Sequence, residues 1–153
     1  MKKLFVCVVV ALLTAGCNSQ DGGGGSPTDP SQVNIEFSFS DLVVGTGAEA
    51  TPGKVATFNT WELWLYNAAG TASKGSHVQS NTDVVNGVPV GAISYTVGST
   101  QLIPGFDQGV RGMKVGGKRR IYVPSSLGYG SAGRNSIPPN AALVFEVELA
   151  SIQ

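Results

Sequence analysis

With 153 residues the chain has room for one domain and a substantial core. Its formal net charge is zero and only 13% of residues are charged, so nothing global points to nucleic acid or to an acidic partner. Both cysteines, Cys7 and Cys17, lie at the N-terminal end, which leaves the body with no disulfide framework and no thiol chemistry.

Met1-Lys2-Lys3 and the apolar run Leu4 to Leu13 form a charged segment and a hydrophobic segment of signal-peptide length. The run is too short for a transmembrane helix, which needs about 20 apolar residues. Thr14-Ala15-Gly16-Cys17 closes it and resembles the bacterial lipobox, in which the cysteine carries the lipid. Residues 1–16 are therefore expected to be a lipoprotein signal peptide with Cys17 the lipid attachment site. Asn18, where aspartate would favour retention, implies sorting to the outer membrane, with the domain in the periplasm. Residues 17–33 include four consecutive glycines and are otherwise dominated by small polar residues and proline, a composition that suits a flexible tether.

The folded domain is expected over 34–153. Ile35, Phe37 and Phe39 alternate with Glu36, Ser38 and Ser40, predicting a half-buried strand. Val55 to Tyr66 is rich in aromatic and β-branched residues and predicts a long strand, with Trp61 and Trp64 on opposite faces if it is regular. Asn67 to Gly91 lacks a period and reads as a long loop. Ile93 to Val97 is a short strand ended by Gly98. Leu102-Ile103-Pro104-Gly105-Phe106 leads into a possible helix of about two turns, too short to stand without a sheet around it. Lys118 to Val123 is a strand with Ile121 and Val123 inward, Pro124 to Pro139 a second long loop, and Leu143 to Leu149 a last strand with Val144 on its solvated side. The sum is an α+β domain, an antiparallel sheet of about five strands and one short helix as its cover.

Several chemistries lose their support. Gly128-Tyr129-Gly130-Ser131-Ala132-Gly133 matches a dinucleotide fingerprint by letter, but Ile137-Pro138-Pro139 follows where a helix must begin. His77 is the single histidine, so neither a multi-histidine metal site nor a Ser-His relay is expected, and no metal or cofactor is predicted. Arg111, Lys114, Lys118, Arg119 and Arg120 read as a solvated turn and strand face.

Three ordered blocks resemble the FKBP-type peptidyl-prolyl cis-trans isomerases: Leu102 to Gly109 with Met113, Gly128-Tyr129-Gly130, and Ile137 to Leu149. Asp41 to Gly47 and Trp64 to Asn67 are similar to family segments as well. The resemblance implies a sheet wrapped around a helix from near Pro104 to Val110, and a pocket that isomerises X-Pro bonds. It puts Phe106 beneath the proline ring and Leu102 and Ile103 at the wall, the Ile103 N–H contacting ligand. It puts the Tyr129 hydroxyl at a ligand carbonyl, with Phe145 and Ile137 completing that side. The family tyrosine of the long strand falls on Trp61 or Thr60, its Phe-Asp pair on Val78 and Gln79, and a wall aromatic on Ile93. These departures imply weaker isomerase activity and weaker macrolide binding. The expected role is a monomeric prolyl isomerase assisting the folding of exported, proline-containing clients, held at the membrane by Cys17. The alternative is a proline-binding module or chaperone with little or no turnover.

Overall fold

The computed structural model describes residues 35–153. The expected signal peptide, the lipidated Cys17, the tether and the boundary at Asn34 lie outside the described residues. The strands are β1 (Ser38–Val43), β2 (Val55–Tyr66), β3 (Lys74–Ser80), β4 (Val84–Val85), β5 (Val88–Pro89) and β6 (Ile93–Thr96). After the helix α1 (Pro104–Val110) come β7 (Lys118–Val123) and β8 (Leu143–Ile152). Six strands make one antiparallel sheet in the order β1-β7-β8-β2-β3, with β6 beside the first part of β2. The α+β class holds, while two further strands form a small separate hairpin.

The long β2 is the spine. One edge pairs with β8 from Ala56 to Leu65, and the other is shared by β6 at Val55 to Phe58 and β3 at Glu62 to Tyr66. Trp61 and Leu63 point into the core and Trp64 points out, against His77 at 4.8 Å between ring centres. The two tryptophans therefore face opposite ways, as an odd spacing on a strand requires.

The helix fits against β7 because its sequence leaves side chains off the contact. A Cβ at Gly105 would lie 2.3 Å from Val123 Cγ1, and one at Gly109 would lie 2.4 Å from Ile121 Cγ2. Two glycines one turn apart thus let the helix backbone rest directly on two buried aliphatic residues. Pro104 starts the helix, where its missing N–H costs nothing, and the amides of Phe106 and Asp107 reach back to the Ile103 carbonyl.

Four expectations need correction. Ile35 and Phe37 are half-buried as expected, and Phe37 packs against the core, but the strand begins only at Ser38 and is an exposed edge strand throughout. It pairs with β7 alone, and the Phe39 ring lies under the Arg119 guanidinium at 4.2 Å rather than in the core. The segment from Asn67 to Gly91 holds β3 and the β4–β5 hairpin. That hairpin turns on Asn86-Gly87, both at positive φ, a pairing of residues that favours such turns. Val144 is fully buried on the outward face, with Trp64 and Tyr122 as its cross-strand neighbours on either side.

Arg119 is the fourth. Its side chain is only 6% exposed, donating from Nε to Asp41 Oδ1 at 2.6 Å and from Nη1 to the carbonyls of Gly109 at 2.8 Å and Arg111 at 3.0 Å. The carbonyls at a helix C-terminus have no partners of their own, and here a strand arginine supplies them. The other members of that basic cluster are more exposed than Arg119, with Arg120 half-buried and ion-paired to Glu146.

Candidate active site

The sheet wraps around α1 so that Phe106 becomes the floor of a cavity of about 510 Å³. Phe106 is 1% exposed and is held by three rings edge to face. Phe145 stands 5.2 Å away at 77°, Phe58 5.5 Å at 78° and Tyr95 5.8 Å at 70°. Such contacts each add about 0.5–1.5 kcal/mol beyond burial, so the floor is well fixed.

Asp107, next to it, ties the helix to the strand behind. Its Oδ1 accepts from the Tyr95 hydroxyl at 3.1 Å and the Gly98 amide at 2.6 Å, and its Oδ2 accepts from Arg111. Burial, and then the Asp107 charge, push the Tyr95 phenol far above its ordinary range, so it stays a donor. Tyr95 and Asp107 are structural supports that sequence reasoning did not single out. An acidic residue in the first turn of the expected helix was the available signal.

Leu102 and Ile103 line the cavity at the start of the helix, and Phe145 lines it from β8. The Ile103 amide donates to no group among the described residues. Tyr129 and Ile137 come from the loop before β8, and the Tyr129 hydroxyl is likewise without a hydrogen-bond partner among the described residues. Trp61 lines the opposite side, whereas Thr60 is exposed, so Trp61 occupies the inward position. Its indole N–H donates to the Gly91 carbonyl at 2.9 Å, and its amide donates to Asn81 Oδ1 at 3.1 Å. Asn81 returns a bond from its own amide to the Trp61 carbonyl, which locks β2 to the segment leading into β6.

Val78 and Gln79 on β3 and Ile93 on β6 complete that wall. All ten pocket positions singled out in the sequence thus meet in one cavity. The cavity also takes Leu63, Val85, Arg134, Asn135 and Ser136, which sequence reasoning missed. Leu63 carried a signal, being two residues from Trp61 on the same strand face. Among the described residues no cluster of acidic, histidine or cysteine side chains is suited to hold a metal ion.

Comparison with known proteins agrees with this geometry. The family model described as FKBP-type peptidyl-prolyl cis-trans isomerase matches residues 65–150. An FK506-binding protein of Neisseria meningitidis serogroup A is 40% identical over 115 residues, covering 74% of this chain and 94% of that protein. FK506-binding protein 2 of Dictyostelium discoideum is 33% identical over 153 residues, 99% of each chain. Among solved structures, AtFKBP13 superposes with a TM-score of 0.62 at 26% identity, over 80% of this chain and 98% of that one. FkpA from Escherichia coli gives the same TM-score at 23% identity, and there the match covers 82% of this chain but 53% of FkpA. The chain belongs to the FKBP-type peptidyl-prolyl cis-trans isomerase family, whose members bind proline-containing substrates and macrolide ligands.

Proposed function

We propose that the Phe106 cavity isomerises X-Pro bonds without any covalent step, and that the protein assists the folding of exported polypeptides. The observation that carries the mechanism is the pairing of a rigid aromatic floor with two donors that have no partner among the described residues, the Ile103 N–H and the Tyr129 hydroxyl. Rotation about the amide loses resonance at a barrier of roughly 18–20 kcal/mol, and unassisted exchange takes tens of seconds or more. An enzyme needs only to bind the twisted amide better than the planar one. Phe106 supports the proline ring, while the apolar walls Leu102, Val78 and Ile93 keep water from the amide. Donors fixed before the reaction then meet the carbonyl oxygen in its rotated position, at no reorganisation cost.

A second reading rests on Gln79. The neutral Gln79 stands in the β3 wall, where the family resemblance implies a carboxylate, and this favours a proline-binding module of low turnover. A prolyl isomerisation assay on a short peptide separates the two: the first expects acceleration well above background at micromolar protein, and none would leave the second. The macrolide site, by the same argument, is weaker than in a typical member. The proposed place of work is the periplasmic side of the outer membrane, as a monomer anchored through Cys17. Cys17→Ser should move the protein from the membrane to the soluble fraction, and a wild-type protein already soluble would remove the anchor.

A further inference from the structure

We propose that Arg134 gives this site a preference for substrates with an acidic residue directly beside the proline. The inference deepens the isomerase reading and rests on it. Among the described residues Arg134 is the one charged side chain lining the cavity, and Gln79 in the β3 wall is neutral. As lined by the described residues, the cavity therefore presents a single positive charge with no negative charge to offset it.

The arginine is also the odd one out in its own chain. Arg111 is paired with Asp107, Arg119 with Asp41 and Arg120 with Glu146, whereas no acidic side chain among the described residues pairs with Arg134. Its guanidinium stands 5.6 Å from the centre of the ring of Tyr129, whose hydroxyl has no hydrogen-bond partner among the described residues. A cation resting on an aromatic face keeps its donors free for a carboxylate.

Its backbone is held in a tight turn. The Arg134 amide donates to the Ile137 carbonyl at 2.9 Å, and the Ile137 amide returns to the Arg134 carbonyl at 2.8 Å. Asn135 between them has φ +50°, a conformation asparagine tolerates well. Gly133 before it has φ +64°, and a Cβ there would lie 2.4 Å from the Ile137 carbonyl oxygen. The charge is thus carried on a short, doubly bonded turn at the rim, with Ile137 anchored in the core.

The test uses the full chain and matched proline peptides with Glu, Lys or Ala immediately before the proline, and a second set varied immediately after it. Exposed charge pairs are modest and like charges repel, so kcat/KM for Glu over Lys should be about three- to ten-fold at one flank in low salt. It should fall toward unity at about 0.5 M salt, where screening acts within a few ångströms. Arg134→Gln should abolish the ratio, Arg134→Glu should reverse it, and Arg134→Lys should keep most of it. A ratio within twofold at both flanks, or one that persists in Arg134→Gln, overturns the proposal. The Ala peptides read the isomerase function separately. If they are not turned over, binding of the Glu and Lys peptides, followed through Trp61 fluorescence, decides by the same ratio. Failure of every peptide to bind overturns both readings.

Discussion

Removing one oxygen from Tyr129 isolates what the site contributes to chemistry from what it contributes to folding. The Tyr129 side chain is half-buried, its ring packs against the core cluster, and its hydroxyl has no hydrogen-bond partner among the described residues. Tyr129→Phe therefore keeps the ring contacts and strands no buried partner, so the unfolding free energy should stay within about 0.5 kcal/mol of wild type. If the hydroxyl donates to the amide oxygen as it rotates, one hydrogen bond of about 0.5–1.5 kcal/mol is lost from the transition state, or roughly 2- to 13-fold in kcat/KM. Because the bond is made as the amide twists, the loss should fall on kcat more than on KM. A coupled or NMR-detected isomerisation assay reads the rate, and a denaturant titration of the same preparation reads stability. Unchanged kcat/KM at unchanged stability would refute the donor role. A rate loss that tracks an equal loss of stability would make Tyr129 a packing residue only.

Gln79→Asp should raise kcat/KM by about two- to ten-fold, the range of a single added hydrogen bond, and an unchanged or lower value in the same peptide assay would sink the altered-wall account. Arg119→Met leaves two helix-end carbonyls and the Asp41 carboxylate without their donor, and denaturant unfolding should show a loss of about 2–4 kcal/mol; a loss below about 1 kcal/mol would mean water replaces the guanidinium freely. Glu146 sits between Lys74 and Arg120 on the outer sheet face. Burial alone would raise its pKa, but the hydrogen bonds from Lys74 and Arg120 outweigh it and hold the carboxyl below its ordinary value. A depressed folded pKa gives stability that is present above the unfolded value and lost as pH falls through the folded one. Glu146→Gln should thus lower the melting temperature at neutral pH, with the gap closing below about pH 4; a gap independent of pH would contradict the assignment.

The parts of this fold that the sequence made legible are those where the local pattern and the tertiary demand coincide. The run Leu102 to Gly109 carries its own explanation, since Gly105 and Gly109 are the spacing a helix needs to lie on Val123 and Ile121. The last strand showed its inward face by alternation, and Leu143, Phe145, Val147 and Leu149 are all buried. Arg119 was illegible because its partner Asp41 is far along the chain and three consecutive basic residues look like a solvated strand. Val144 was illegible because burial on the outward face depends on which residues two other strands bring beside it. The segment carrying β3 hides its strand character because Lys74 to Ser80 lacks alternation and pairs with two register shifts. The Asn86-Gly87 turn, by contrast, was a signal present and passed over. In the pocket, side chains of distinctive type were found from the motifs, while Val85, Asn135 and Ser136 reach it only through the fold.

The glycine contact between α1 and β7 leaves the protein a division of labour. Because the helix backbone rests on Val123 and Ile121 with no side chain between, the floor residue has almost no freedom to shift when the loops around it change. The rim, by contrast, is made of the Arg134–Ile137 turn and the β4–β5 hairpin, both exposed over most of their length and neither built into the main sheet. Exposed residues there, such as Arg134 and Ser136, can be exchanged for others of different charge or size without disturbing Phe106. A lineage of such proteins could therefore change its clients while the chemistry under the proline ring stays fixed.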